Sequence, residues 1–333
     1  YVADKISEEG YLSGEDIDTV LDDAERLIMD VTRHRRGSEF ESSEEIVTRV
    51  INELKELRTM KGITGIETGY VLLDRMTNGF QRGDLIILAA RPAMGKSALA
   101  LNFASQVAKR NEGAVAIFSL EMPSDSMMKR LMSSESQVYS DKLRSGKLTN
   151  EEMSRLYEAG SHLSERKIYI DDTSSIKVSQ IFSKCRKLKS ENGSISLVVI
   201  DYLQLITGTR ADSRQQEVSD ISRNLKILAK EMECPVIALS QLSRKVEERT
   251  DHEPQLSDLR ESGSIEQDAD IVMFLYRSNY YEKDKESQEE TEVVDLSLAK
   301  HRNGGIGKIQ LAFEKNISRF TNLEASGDDI YAH

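Results

Sequence analysis

Lys96 and Ser97 follow Gly95 in the run ARPAMGKSA, and the spacing A-x-x-x-x-G-K-S is that of a phosphate-binding P-loop. In such a loop backbone N–H groups converge on an anion. A lysine adds a point charge at the β- and γ-phosphates, and a hydroxyl can ligate Mg²⁺. The residues that would line the phosphates are Arg91, Pro92, Ala93, Met94, Gly95, Lys96, Ser97 and Ala98. Hydrolysis also needs a second Mg²⁺ holder and a group that orients water. Asp201 follows the apolar run SLVVI and is suited to the first task, with Ser97. Glu121 follows AVAIFSL and suits the second, although an acid ending a strand also reads as a surface residue. Gln241 follows another apolar run and could sense a γ-phosphate through its amide. Lys300 and Arg302 flank His301 near three glycines, either as a basic surface turn or as a cation pair offered to a phosphate.

These residues need a sheet to hold them. Residues 85–90 (LIILAA), 114–120, 168–170, 196–200, 235–239 and 271–276 read as strands, most of them short apolar runs. Helical patterns alternate with them, notably 97–110 and 216–233, the latter with Val218, Ile221, Leu225, Leu228 and Met232 on one face. That alternation predicts an α/β fold with a mainly parallel, twisted central sheet flanked by helices, its ligand at the C-terminal strand ends. Residues 293–300 and 308–313 bracket Gly304, Gly305 and Gly307 as a hairpin. The charged run 282–292 reads as a solvated loop.

Ahead of the sheet, residues 14–37 read as an amphipathic helix carrying Ile17, Val20, Leu21, Ala24, Leu27, Ile28 and Val31. A second helix starts with Ser42 and Glu45 as a capping box and carries Ile46, Val47, Val50, Ile51, Leu54 and Leu57. Its apolar face needs a partner, either its own domain or a neighbouring subunit. The 333 residues are 38% apolar and 31% charged, as in a soluble protein, and contain no run long enough to span a membrane. Two cysteines without metal spacing suit reduced thiols in a cytoplasmic protein, and five scattered histidines suggest no zinc site. A net charge of −12 argues against a broadly basic nucleic-acid coat but leaves room for a local basic channel. Two Arg/Gly-containing loops, 208–214 and 244–263, could meet a nucleic-acid backbone. With 6% aromatics and no Trp, such contact would be through phosphates rather than base stacking.

Taken together, ITGIETGYVLLDRMTNGFQRGDLIILAARPAMGKSALALN, FSLEMP, VVIDYLQL, RQQEVSDISRNLKILAKE, VIALSQLSR, DLRESGSIEQDADIVMFLYR and AKHRNGGIGK closely resemble the C-terminal motor of bacterial and phage replicative helicases of the DnaB type. The likeness spans residues 62 to 320 or so. It implies a RecA-like ATPase that assembles as a homohexameric ring, hydrolyses ATP with Mg²⁺ between subunits and moves 5′→3′ on single-stranded DNA. By that resemblance Lys96 and Ser97 fill the P-loop roles, Asp201 holds the metal, Glu121 is the catalytic glutamate and Gln241 the coupling glutamine. Lys300 and Arg302 become the basic pair that reaches the neighbour's ATP. Arg260, Glu261 and Gly263 match the loop that grips DNA, and Arg210 and Arg214 fall in the second such loop.

Three segments follow: 1–37, a helical remnant of the family's N-terminal domain; 38–62, a linker with a subunit-docking helix; and 63–333, the ATPase. The remainder of the N-terminal domain, a collar and primase platform, is expected to be missing. Primase and a helicase loader are the implied partners, with no membrane. Ala90 replaces the first P-loop glycine, as is usual in the family, and Gly305 stands where the family's hairpin often has Pro. A RecA-like recombination ATPase and a non-catalytic ring scaffold are the alternatives, separable by unwinding and ATP-turnover assays.

Overall fold

The computed structural model describes residues 41–59, 62–206, 214–259, 263–277 and 290–323, together with Ser7 and Val20. The helix expected over 14–37 therefore lies outside the described residues, Val20 apart. The chain divides into two units, residues 1–62 and 63–333.

In the first unit, α1 (Ser43–Thr59) begins as its sequence demands. The Ser42 backbone N–H donates to Glu45 Oε2 at 3.0 Å and the Glu45 N–H donates back to Ser42 Oγ at 3.3 Å. This capping box satisfies otherwise orphaned donors. The apolar stripe of α1 is open to solvent at Ile46, Val47, Val50, Ile51 and Leu54.

The second unit is built on a nine-stranded sheet in the order β3-β2-β4-β5-β1-β6-β7-β8-β9. β1 (Leu85–Ala90), β2 (Ala114–Ser119), β3 (Ile168–Asp171), β4 (Ile195–Asp201), β5 (Val236–Gln241) and β6 (Ile271–Tyr276) are parallel. β7 (Thr291–His301), β8 (Gly307–Glu314) and β9 (Arg319–Asn322) extend it antiparallel. Every residue of β1 is buried. Ile86, Leu88 and Ala90 enter one core and Leu85, Ile87 and Ala89 the other, the period of two that a doubly covered strand requires.

After α2 (Val71–Thr77), the first core is completed by α3 (Lys96–Arg110) and α4 (Ser124–Ser136). There Phe103 takes Tyr70 and Phe80 edge-on at 5.2 and 5.4 Å. α5 (Ser140–Ser145) and α6 (Asn150–Glu165) follow. The second core lies under α7 (Val178–Asn192) and α8 (Arg214–Met232), joined by α9 (Gly263–Asp268). The predicted face of α8 is buried, Val218, Ile221, Leu225, Leu228 and Met232 included. Cys185 and Cys234 are both buried in this core. Among the described residues no helix is long and apolar enough to cross a membrane.

Two expectations need correction. β2 stops at Ser119, because its hydroxyl donates to Met122 O at 2.6 Å and accepts the Met122 N–H at 3.2 Å, closing a turn. Glu292 does not belong to a solvated run. It lies on β7, is 5% exposed, and is paired with Arg277 and Lys315. Residues 282–289 of that stretch lie outside the described residues.

Candidate active site

Residues 91–98, Glu121, Asp201 and Gln241 gather at the C-terminal edge of the parallel strands. The P-loop leaves β1 and turns through Ala93 (φ 66°) and Gly95 (φ 97°) into α3 at Lys96. Gly95 is required twice over, by that left-handed backbone and by a Phe320 ring that an added Cβ would meet at 3.1 Å. Lys96 points along the sheet edge, its Nζ 5.2 Å from the centroid of the Tyr202 ring. Burial lowers its ammonium below the usual lysine range, and the charges of Asp201 and Glu121 oppose that shift. All three groups therefore share one electrostatic neighbourhood.

Asp201 ends β4, is 2% exposed, and pairs in register with Ser119 of β2. Its backbone carbonyl accepts the Leu120 N–H at 2.7 Å, which sets Glu121 one residue beyond the two strand ends. Glu121 itself is exposed, as a group meeting a substrate water must be. Both carboxylate oxygens of Asp201 are buried without a hydrogen-bond partner among the described residues. Buried carboxylate oxygens are normally satisfied, so this pair of acceptors calls for a cation. Among the described residues no cluster of three or more His, Cys, Asp or Glu side chains offers a self-contained metal centre.

Gln241 ends β5 with Ala90 as its register partner, directly beside the start of the P-loop. The next residue, Leu242, donates its N–H to Ala90 O at 3.1 Å and bridges to Leu259. Gln241 thus sits between the P-loop and the point where the loop carrying Arg260 departs. Arg91 serves this junction with its side chain. Its guanidinium donates to Glu247 Oε1 at 2.8 and 3.0 Å and to Leu242 O at 2.8 Å.

Arg210, Arg260 and Glu261 lie outside the described residues. Arg214 and Gly263 open α8 and α9. These helices run alongside one another in the same direction, joined by Ser219 Oγ–Ser264 Oγ at 2.7 Å and by Ser222 with Asp268. The two loops read as nucleic-acid contacts therefore lead into neighbouring helices.

Lys300 and Arg302 are not brought to this edge. His301 pairs with Ile271, the first residue of β6, and the Arg302 N–H donates to Asp270 O at 2.9 Å. Lys300 Nζ donates to Ala269 O at 2.8 Å and to Glu266 O, and Arg302 Nη2 donates to Gln267 O at 2.5 Å. Both cations are thus cradled by carbonyls at the end of α9, favourable ground for positive charge. Gly305 in the hairpin faces open space, so no packing demands a glycine there.

Beneath this hairpin Lys226 Nζ lies 2.5 Å from Asp270 Oδ2 and 3.8 Å from Asp84 Oδ1. Burial, then the Asp270 charge, pushes the Asp84 carboxyl up to about 6, against the pull of Lys226, His301 and Arg302. Between its ordinary 3.8 and about 6 the folded chain holds a proton the unfolded chain has released. Stability therefore falls as pH rises through that window, and the penalty is fully present above it. Asp84→Asn cannot ionise and should raise stability by on the order of 1–3 kcal/mol at about pH 8, with the gain vanishing near pH 3.5. Urea titrations of both chains across that range measure it.

Arg277, immediately after β6, was not among the predicted site residues, yet its Nη1 donates to the P-loop carbonyl of Ala93 at 2.9 Å. The signal was present: a charged residue directly ending an apolar strand, as at Asp201.

A P-loop on the strand beside Gln241, an acid on β4 and a carboxylate beyond β2, all at one edge of this strand order, define a RecA-like ATPase. Residues 65–322 match the family described as DnaB-like helicase C terminal domain, and the chain belongs to that family. It is 51% identical over 330 residues to the replicative DNA helicase DnaB of Geobacillus stearothermophilus, covering 98% of this chain and 72% of that protein. It is 48% identical, with the same coverage, to the replicative DNA helicase DnaC of Bacillus subtilis (strain 168). Among solved structures, a separately determined ATPase domain superposes with a TM-score of 0.80 at 42% identity, covering 86% of this chain and all of that one. A DnaB-like replicative helicase, described together with its interactions with primase, superposes with a TM-score of 0.83 at 38% identity, covering 97% of this chain and 75% of that one. The chain is an ATP-dependent replicative DNA helicase.

Proposed function

We propose that ATP is hydrolysed between two copies of this chain, with Lys96, Ser97, Asp201, Glu121 and Gln241 from one copy and Lys300 and Arg302 from the next. The observation that carries this reading is the position of the hairpin. His301 lies level with the first residue of β6 and the P-loop follows the last residue of its neighbour β1, so the length of a six-residue strand, roughly 17 Å, separates Arg302 from its own phosphate site. An arginine acting on a γ-phosphate must touch it. A head-to-tail ring brings one copy's hairpin to the next copy's P-loop, and the family resemblance points to about six copies.

Ser97 and the unpartnered oxygens of Asp201 would hold Mg²⁺, which when bound neutralises phosphate charge. Glu121 orients the attacking water and accepts its proton. Gln241, between the P-loop and the departure of the loop carrying Arg260, couples nucleotide state to DNA. Arg210, Arg214, Arg260, Glu261 and Gly263 grip the backbone of single-stranded DNA in the ring channel, and translocation runs 5′→3′.

Residues 1–37 belong to an N-terminal domain and 38–62 form a linker whose helix docks on the adjacent copy. The open apolar stripe of α1 supports that assignment. Replacing Leu54, 58% exposed, with Glu should leave the chain folded and weaken ring assembly about tenfold or more, read by sedimentation. Primase is the natural partner by likeness to the helicase solved with it, and a helicase loader is a further one. The reading is tested by measuring the mass of the assembly with a non-hydrolysable ATP analogue and single-stranded DNA. A closed ring is expected, and a monomer that retains full DNA-stimulated ATPase would overturn the interface site.

A further inference from the structure

We propose that Arg277 is a positioning residue for nucleotide binding: it holds the Ala93 carbonyl beneath the P-loop and thereby turns the next N–H, that of Met94, toward the phosphates. The proposal rests on the assignment of residues 91–98 to the phosphate site. Ala93 occupies left-handed backbone at φ 66°, which non-glycine residues rarely adopt, and its carbonyl accepts the Arg277 Nη1–H at 2.9 Å. In a planar trans peptide the C=O and the following N–H point in opposite directions. A carbonyl drawn toward the sheet therefore presents the Met94 N–H to the opposite, open side.

The guanidinium is held from every direction. Its residue is 7% exposed, and Nε donates to Glu292 Oε2 at 2.8 Å while Nη2 donates to the same oxygen. The other Glu292 oxygen pairs with Lys315. The Phe313 ring lies 5.6 Å from the Arg277 Cζ and stacks on Phe320 at 4.2 Å. Those two rings also close against Gly95. The strands from β6 to β9 thus form a seat for the P-loop.

A buried Arg–Glu pair, with a part-exposed Lys315 on its outer oxygen, is a poor way to gain stability, because desolvation offsets most of its attraction. Holding one donor against one carbonyl is a task it does well. Two cations against one carboxylate also leave net positive charge beneath a site for a polyanion.

Steady-state ATPase kinetics with fluorescent-ADP titration test this in the assembled protein. Arg277→Gln should raise the KM for ATP and the ADP Kd about tenfold, with kcat per folded chain changed less than about threefold. Arg277→Lys, which keeps the charge and one donor, should recover part of the affinity. A merely structural role would lower the active fraction and leave KM in place. A KM within about twofold of the parent in folded Arg277→Gln would overturn the assignment. So would failure of both Arg277 variants to fold, which would assign the residue to stability. Lys96→Ala is the control: should it still hydrolyse ATP, the phosphate-site reading itself fails, whatever Arg277 does.

Discussion

Lys96→Ala should reduce ATP turnover by about a thousandfold or more while the chain remains folded. Lys96 is the cation at the P-loop, held close enough to Asp201 and Glu121 for both to act on its titration. Its loss removes the charge that meets the β- and γ-phosphates and leaves the acidic Asp201 and Glu121 without a counterweight. The fold should tolerate the change. Position 96 opens α3, alanine is the best helix former, and burial already disfavours the ammonium. What is lost locally is the approach to the Tyr202 ring, a contact worth about 0.5–2 kcal/mol. Circular dichroism melting should show a nearly unchanged midpoint beside an ATPase assay at background. Retained unwinding would remove Lys96 from the site.

Arg302→Ala should be nearly as severe for the assembled protein, about a thousandfold in turnover, yet should leave ATP affinity in the isolated chain unchanged. The two halves of this expectation come from one fact. Arg302 is cradled at the N-terminal end of β6 by Asp270 and Gln267, far from the P-loop of its own chain. Within one chain its removal therefore costs the bond to Gln267 O and a half-exposed interaction with Asp270 at 3.5 Å, and nothing at the nucleotide. Stopped-flow binding with single chains and turnover with assembled ones separate the two effects.

Much of this site is legible in the sequence because each group ends an apolar run or follows one within a short turn. Lys96, Glu121, Asp201 and Gln241 all follow strands whose composition marks them as buried, and parallel strands deliver their ends to one edge. What escapes is whatever depends on pairings distant along the chain. The order β3-β2-β4-β5-β1-β6, which makes Gln241 the neighbour of Ala90, is set by crossovers that leave no local mark. Arg91 stands in the P-loop and so reads as a phosphate ligand, but its side chain goes to Glu247 and Leu242, more than a hundred residues on. Glu292 closes an acidic run and so reads as solvated. Its burial is decided by Arg277 and Lys315, which no composition window joins. The cradle of Lys300 and Arg302 is built mainly of backbone carbonyls, which any residue type supplies, and its one side chain, Asp270, lies more than thirty residues back along the chain from Arg302.

The most direct measurement of a shared site is complementation. Lys96→Ala chains and Arg302→Ala chains are mixed before assembly, and DNA-stimulated ATPase is followed against the mixing ratio. Each variant alone is inactive, but where an Arg302→Ala chain's P-loop meets a Lys96→Ala chain's hairpin, every site residue is the native one. In an equal mixture about a quarter of head-to-tail interfaces meet that condition, so activity should rise toward that fraction if interfaces turn over independently and peak at equal proportions. Activity at background at every ratio, from mixed rings of normal mass, would contradict an arginine supplied by the neighbouring copy.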